Sequence, residues 1–304
     1  MFGLSSDGGC RGERRKGVAM KLLEWLLRTT PRLDVRPEPF GAFHMIFVAV
    51  ILLLGMAMIL LRRYLPKGEG NLKKMLILFG VGLLLLETGK QIVYSYTAEG
   101  GWLYNWDRFP FQFCSTPMYA GLLAALVRNK KIHNALCAYL ATFALFAGLC
   151  VMLYPADVFI STIGINIQTM ICHGTMLTVG IYLLATGYVK SEHRTVLRAI
   201  PVFAACIILA MIMNEAAHLS GLLERETFNM FFISPHCEGT LPVYSIVQKY
   251  VPFPFCTIIY ISVFSLAAYV ILLISMATKK LASKNIKNNK RSLAGEGLCC
   301  EDFI

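Results

Sequence analysis

The stretch "GAFHMIFVAVILLLGMAMILLRRYLPK", residues 41–67, decides the class of fold. Residues 41–61 contain no Asp, Glu, Lys or Arg, whereas Arg62 and Arg63 follow at once. An uncharged apolar run of this length can cross the hydrocarbon core of a bilayer as an α-helix, and basic residues typically mark its cytoplasmic end. The sequence therefore predicts a membrane-spanning helix here.

The rest of the chain repeats this composition. It has 304 residues, a mean hydropathy of +0.59 and only 15% charged residues, whereas a soluble domain carries about 25%. We therefore predict an all-α fold, a polytopic membrane helix bundle of about seven transmembrane helices. The predicted spans are residues 41–61, 75–95, 110–127, 133–154, 164–187, 197–218 and 254–277.

A basic segment flanks the predicted bundle, residues 41–277, at each end. Residues 1–40 lack the apolar core of a signal peptide, and their stretch "KLLEWLLRTTPRL" can form an amphipathic helix lying on the membrane. Residues 278–304 are rich in Lys and Asn, and we predict a disordered basic tail that touches anionic lipid.

Charge is distributed unevenly between the two ends of the spans. The net charge is +11, but it lies at the chain ends and in short loops, so it indicates orientation in the membrane rather than nucleic-acid binding. Lys and Arg follow the first, third, fifth and seventh spans on one face, here called the basic face and predicted to be cytoplasmic. The opposite face, here called the polar face, receives the loops 96–109, 155–163 and 219–253, which are nearly free of Lys and Arg.

The N-terminal segment conflicts with this orientation, because its eight Lys and Arg residues fall on the polar face. Two explanations are open. The segment is an interfacial helix, or one span is miscounted and the whole orientation is inverted.

Polar residues cluster at one end of four spans. Because alternate spans run in opposite directions, all four clusters reach the polar face, and we expect the main members to line one interior cavity. The clusters are Glu87, Lys90, Gln91 and Tyr94; Gln112, Cys114, Ser115 and Thr116; Asn166, Gln168, Thr169 and His173; and Asn214, Glu215 and His218.

Two of these groups also have purely structural interpretations. A buried charge costs roughly 2.5–3.5 kcal/mol on insertion scales. Glu87 and Lys90 are therefore expected to pair with each other, as a structural ion pair that joins helices, or with Glu215 and Arg108. His173 can be a core histidine bonded to a carbonyl. The convergence of four polar clusters on one face is what favours a functional site.

The cluster at the start of the third span offers nucleophiles. Cys114 is the best candidate, ahead of Ser115 and Thr116, because a thiolate is intrinsically nucleophilic and needs only a base or a positive charge nearby. His173 is the natural base, seven residues from Asn166 and four from Thr169 on one helix face.

Supporting roles follow from the chemistry of the remaining polar side chains. Arg108 can supply positive charge beside the thiol, Asn166 or Thr169 can orient the imidazole, and amides can stabilise an oxyanion. The predicted substrate-binding residues are Arg108, Gln112, Asn166, Thr169, Asn214, Glu215 and His218.

Common catalytic and metal signatures are absent from the sequence. It contains no C-x-x-C pair, no G-x-S-x-G elbow, no H-E-x-x-H motif and no H-x-x-x-x-D acyltransferase box. Two other classes stay open: a transporter with Glu87, Lys90 and Glu215 along its ion path, and a metal-dependent hydrolase built on the E-x-x-H pair Glu215 and His218.

Three stretches carry a family resemblance: "RFPFQFCSTPMY" (108–119), "NIQTMICHGTML" (166–177) and "NMFFISPHCEGTLPVYSIVQKYVPFPF" (229–255). The chain resembles the YwaF-type bacterial integral membrane proteins and, with them, transmembrane protein 164, a cysteine-dependent lipid acyltransferase. It is also similar in layout to membrane hydrolases that cleave fatty-acid esters of hydroxy fatty acids. The resemblance extends from about residue 40 to 277.

The resemblance implies a lipid acyltransferase or acyl-ester hydrolase of a bacterial plasma membrane. Cys114 takes the nucleophile position and His173, 59 residues later, the position of its partner, while the hydrolases' threonine keeps Thr116 as an alternative. The implied partner is a membrane phospholipid or another acyl lipid. We expect no cofactor, no metal and no nucleic acid.

Overall fold

The computed structural model describes residues 20–21, 23–25, 27, 33–65, 67–97, 101–224, 227–237, 241–253 and 255–297, with side chains of the last helix described as far as Lys284. Eight helices account for most of them: α1 (Ala42–Leu60), α2 (Glu69–Tyr94), α3 (Thr116–Leu126), α4 (Lys130–Leu153), α5 (Ile163–Thr186), α6 (His193–Leu219), α7 (Pro242–Tyr250) and α8 (Phe255–Gly297). A two-stranded antiparallel hairpin, β1 (Tyr96–Thr97) and β2 (Gly101–Trp102), follows α2.

Six helices in this part of the chain are long and apolar enough to cross a bilayer: α1, α2, α4, α5, α6 and α8. The all-α membrane bundle is therefore as predicted. Helices α4 and α5 bury 72% and 67% of their apolar windows inside the protein, against 28% or less for the other four. These two helices form the centre of the bundle, and the others surround them with faces left for lipid.

The third predicted span, 110–127, is wrong as a full membrane helix. Only Thr116–Leu126 is helical, and its 11 residues reach about 16 Å, roughly half of the hydrocarbon thickness. Pro110 and Pro117 explain the difference. Proline disfavours a helical residue before it but suits the first helical turn, so the chain descends through an irregular turn, residues 109–115, before α3 begins.

The last helix is longer than predicted. Helix α8 continues to Gly297, so residues 278–297 are helical in place of the predicted disordered tail, because no proline or glycine interrupts them before Gly295. Residues 298–304 lie outside the described residues. In the predicted interfacial stretch, residues 21, 23–25 and 27 are helical and Leu33 is not, and Glu24 Oε1 accepts a 3.0 Å hydrogen bond from Trp102 Nε1. Residues 22, 26 and 28–32 lie outside the described part.

Side chains at the helix ends identify the two faces. Tyr188 OH donates to the Gly68 carbonyl at 2.8 Å, and Lys279 Nζ donates to the Leu184 carbonyl at 2.9 Å. The start of α2, the end of α5 and the part of α8 around Lys279 therefore meet at the basic face. Gly187, in the left-handed conformation (φ 81°), ends α5 there.

Helix α4 is irregular in its middle. Residues Leu140–Ala144 form a π-helical turn, and all five are buried. Around this turn lies the aromatic core of the protein, in which Phe143 stacks on Phe203 with ring centroids 4.5 Å apart.

Candidate functional site

Helix α2 brings an ion pair into the polar half of the bundle. Lys90 Nζ lies 2.8 Å from Glu87 Oε1, so these two charges pair with each other. Gln91 Nε2 donates to the same carboxylate oxygen at 2.8 Å and also to the Arg108 carbonyl. The end of α2 is thereby attached to the turn that carries Cys114.

Two reciprocal glycine contacts fix the height of Cys114 against this pair. A Cβ on Gly80 of α2 would lie 2.5 Å from the Leu122 side chain, and one on Gly121 of α3 would lie 2.7 Å from Phe79. The two helices run antiparallel in close contact at this point. Glu87 lies seven residues further along α2, about 10 Å nearer the polar face, and Cys114 lies two residues before α3 begins, on the same side of the contact. Glu87 and Cys114 are therefore in the same polar half of the bundle.

His173 lies on α5 in the same half of the bundle and is buried. Its Nδ1 is 2.8 Å from the Thr169 carbonyl oxygen. Because a carbonyl oxygen only accepts, Nδ1 carries the hydrogen of a neutral ring and Nε2 presents a lone pair. The backbone of Thr169, rather than an Asn166 or Thr169 side chain, thus orients the ring.

Cys114 and His173 lie in the same polar half of the bundle as the Glu87–Lys90 pair. The described contacts include no hydrogen bond between Cys114 and His173, and such bonds often form only when substrate is bound.

Thr116, the alternative nucleophile, is already engaged. Its Oγ1 donates to the Phe113 carbonyl at 2.9 Å and accepts from Tyr139 OH at 2.6 Å. Both Thr116 and Tyr139 are buried, so the Thr116 hydroxyl stabilises the turn 109–115 from inside the bundle.

Gln112 and Asn214, predicted to bind substrate, instead hold the loop 229–234. The Gln112 amide donates to the Asn229 carbonyl (2.9 Å) and accepts from Phe231 N–H (2.8 Å), and Asn214 makes two bonds to the Met230 backbone. Phe231, with a left-handed backbone (φ 59°), needs such support because this conformation is costly for a bulky residue. These bonds give both amides a structural role in the loop, and their service as oxyanion donors stays a prediction.

Asn166 likewise has a local role. Its amide bonds both the N–H and the carbonyl of Ile160, at 2.9 and 2.7 Å, and so closes the loop before α5. Arg108 pairs with Asp107 (3.3 Å) and lies over the Tyr94 ring, 5.0 Å from its centroid. Its guanidinium is therefore engaged at the surface rather than beside Cys114.

Glu215 and His218 belong to a separate cluster, so the prediction of one common cavity is wrong. Glu215 Oε2 accepts from His236 Nε2 at 2.9 Å, and the His218 and His236 rings stack with centroids 3.6 Å apart. Both α6 residues are exposed. The predicted ion path is thus split between two clusters, and no set of three potential metal ligands converges among the residues described.

A family model described as the TMEM164 family matches residues 39–274 of the chain. The chain belongs to the TMEM164 family. No curated protein and no solved structure matches it.

The TMEM164-family match contains both clusters and every predicted site residue, from Glu87 to His218. It also contains an aromatic cage that our sequence analysis missed. Phe113, next to Cys114, packs on Phe203, Phe231 and Phe264 with centroids 5.3–5.9 Å apart. The run "FPFQF" was the available signal, but its partners are between 90 and 151 residues away.

Behind this cage lies an apolar groove of about 420 Å³. It runs between α4, α7 and α8, and Phe264 belongs both to its wall and to the cage of Phe113. Its other lining residues are apolar or aromatic apart from the Cys150 thiol: Phe146, Leu241, Tyr244, Val247, Ile259, Tyr260, Val263 and Ala267. Through Phe264 the wall of the groove is in contact with Phe113, the residue before Cys114.

Proposed function

We propose that this protein transfers or hydrolyses lipid acyl groups, with Cys114 as nucleophile and His173 as base. The observation that carries the proposal is the fixed orientation of His173, whose Nδ1 lies 2.8 Å from the Thr169 carbonyl oxygen and whose Nε2 lone pair is left to act as a base. Cys114 lies in the same polar half of the bundle, and a nearby base favours thiolate over thiol. These are the requirements for an activated cysteine.

The reaction proceeds in two balanced steps. The Cys114 proton moves to His173 Nε2, and the sulfur attacks the ester carbonyl of an acyl lipid. A C–S bond forms, the ester C–O bond breaks, and His173 returns the proton to the leaving alkoxide. In the second step an alcohol of a second lipid, or water, gives its proton to His173 and attacks the thioester, so that a C–O bond forms and the thiol is restored.

The apolar groove supports a lipid substrate. Its walls offer hydrocarbon contacts along an acyl chain, while Phe113 joins its Phe264 wall to Cys114. An acyl chain lying in the groove places its carbonyl towards the polar half of the bundle, at the height of the thiol. We infer a membrane phospholipid or another acyl lipid as the substrate class.

The contacts of Thr116 favour cysteine chemistry over the threonine alternative. Its hydroxyl donates its hydrogen to the Phe113 carbonyl, so it has none to give to a base. We expect Thr116→Val to retain part of the activity, whereas Cys114→Ala abolishes it.

The experiment is lipid analysis of cells that express the wild type, Cys114→Ala or His173→Ala. We expect a change in the acyl composition of membrane lipids with the wild type alone. Cys206→Ala, at a cysteine of α6 that does not line the groove, is the matched control and should behave as the wild type. A lipid change that persists in Cys114→Ala would exclude the thioester mechanism.

The family resemblance to YwaF-type proteins leads us to propose the bacterial plasma membrane as the location. The basic face, which collects Arg62, Lys190 and Lys279, is then cytoplasmic, and the Cys114 site opens to the opposite leaflet.

A further inference from the structure

The apolar groove has two different ends. Helix α8 runs from the polar face, where it begins at Phe255, towards the basic face around Lys279. In that order it contributes to the groove Ile259, Tyr260, Val263, Phe264 and Ala267. From the first to the last of these residues the helix advances about 12 Å. The groove therefore starts near the polar face and ends deep in the span.

Ring contacts place the other two helices along this path. Tyr244 of α7 packs edge-on against Tyr260, with ring centroids 5.3 Å apart, so α7 covers the end of the groove at the polar face. Phe146 of α4 packs against Phe264 at 5.9 Å. Helix α4 runs in the opposite direction to α8, so Cys150 lies about one turn nearer the polar face than Phe146. Tyr244, Tyr260 and Cys150 thus form the mouth of the groove, and the two phenylalanines lie deeper.

Ala267 marks the deep end. It is the smallest of the lining residues and the last that α8 contributes, three residues beyond Phe264 and so about 4.5 Å deeper. One turn further on, Ile271 is buried in the core and does not line the groove. A chain that enters at the mouth therefore has its last atoms beside the Ala267 methyl group.

The position of the groove defines its occupant. Among the described residues that line it none is charged, and two of them, Ile259 and Val263, are exposed at its edge within a helix long enough to span the bilayer. The surroundings at this depth are hydrocarbon. An acyl chain from the polar-face leaflet matches both the chemistry of the walls and the direction of the groove.

We propose that the groove binds one acyl chain with its carboxyl end at the mouth and its methyl end at Ala267, and that Ala267 determines the longest chain that fits. Ala267 is in this sense a specificity-determining residue. The inference rests on the proposed function, because the bound chain is taken to belong to the lipid that reacts at Cys114. Binding of the chain itself needs no reaction.

Cys150 at the mouth is exposed and serves as a native reporter of occupancy. The Cys114→Ala protein is purified in digitonin, a detergent without an alkyl chain, and labelled with a small maleimide in the presence of octanoate, laurate or palmitate. Mass spectrometry gives the labelling rate of each cysteine. All three fatty acids should protect Cys150, palmitate at the lowest concentration. Cys206, which does not line the groove, should label at one rate throughout.

Ala267→Phe should raise the palmitate concentration for half-protection at least about fivefold, as expected for overpacking a filled site. Octanoate should protect as before, because its shorter chain does not reach Ala267. Ala267→Val should give a smaller shift in the same direction, and it guards against misfolding of the larger variant. Ala277→Phe, at an exposed position of the same helix, is the matched control and should leave all three fatty acids unaffected.

An unchanged palmitate response in Ala267→Phe, or equal weakening of all three fatty acids, would overturn the assignment of Ala267. Protection of Cys150 by none of them would overturn the binding of an acyl chain in the groove. Because this protein lacks the Cys114 thiol, a failure of the proposed reaction would appear in the lipid analysis alone, and a failure of this inference in the labelling of Cys150.

Discussion

Single amides connect distant parts of this chain. Gln112 hydrogen-bonds the backbone of the loop 229–234 at residues that are 117 and 119 positions away in sequence. Asn214 of α6 hydrogen-bonds the same loop. Between them they satisfy four backbone bonds around a phenylalanine whose conformation is unfavourable. The hydrogen bonds of Gln112 and Asn214, rather than the candidate catalytic groups Cys114 and His173, therefore stabilise this part of the site.

Gln112→Leu should be strongly destabilising. It keeps most of the side-chain volume but leaves the Asn229 carbonyl and the buried Phe231 N–H without partners, at about 1–3 kcal/mol for each unpaired group. Thermal unfolding of the purified protein in detergent measures the loss. Gln248→Leu, which removes a single bond to the Ser234 carbonyl, is the control with the smaller expected effect; equal effects would contradict the account.

Glycines set the distances between helices, as is common in membrane bundles. Gly148 of α4 is the tightest case that involves backbone: an added Cβ would lie 2.6 Å from the His173 carbonyl oxygen and 2.9 Å from the Leu177 nitrogen. Backbone cannot move aside as a side chain can. The position of His173 therefore depends on this glycine.

Gly148→Ala should push α4 away from α5 and cost about 1–3 kcal/mol, as overpacking typically does. Gly82→Ala on α2, where an added Cβ meets nothing within 4 Å, should be neutral or slightly stabilising. The unfolding midpoints of the two variants, measured side by side, test this difference in stability. A Gly148→Ala protein as stable as Gly82→Ala would mean that the contact between α4 and α5 is looser than described.

At the scale of the molecule, the described part of the chain from residue 33 to 297 passes through the bundle seven times, although only six of its helices are long enough to span a bilayer. The irregular turn 109–115 together with α3 makes the remaining passage. Asp34 and Asp157 then lie on the polar face, and Arg128 and Lys284 on the basic face.

Cysteines introduced at these four positions, in a variant without native cysteines, test the topology. With an impermeant maleimide, intact cells should label Asp34→Cys and Asp157→Cys, and inverted vesicles should label Arg128→Cys and Lys284→Cys. This follows from the excess of Lys and Arg on the basic face. Labelling of Asp34→Cys and Lys284→Cys from the same side would require an even number of passages.

The sequence predicts the architecture well because hydropathy acts locally. Apolar runs identify the six long helices, and the Glu87–Lys90 spacing predicts their pairing. It does not predict the partners of Gln112, Asn166 or His236, because those bonds join segments that only the fold brings together. The prolines around Cys114 were visible, but their effect on the third span depends on how the turn packs against α2.

The π-helical turn Leu140–Ala144 has a consequence for the angular phase of α4. Such a turn adds one residue to the helix, and each residue of an α-helix advances by about 100°. The extra residue lets Tyr139 face Thr116 while Gly148 faces His173. Deleting one residue here would turn the two halves of α4 against each other by about a quarter of a revolution, so the chain tolerates substitution in this turn far better than a change of length.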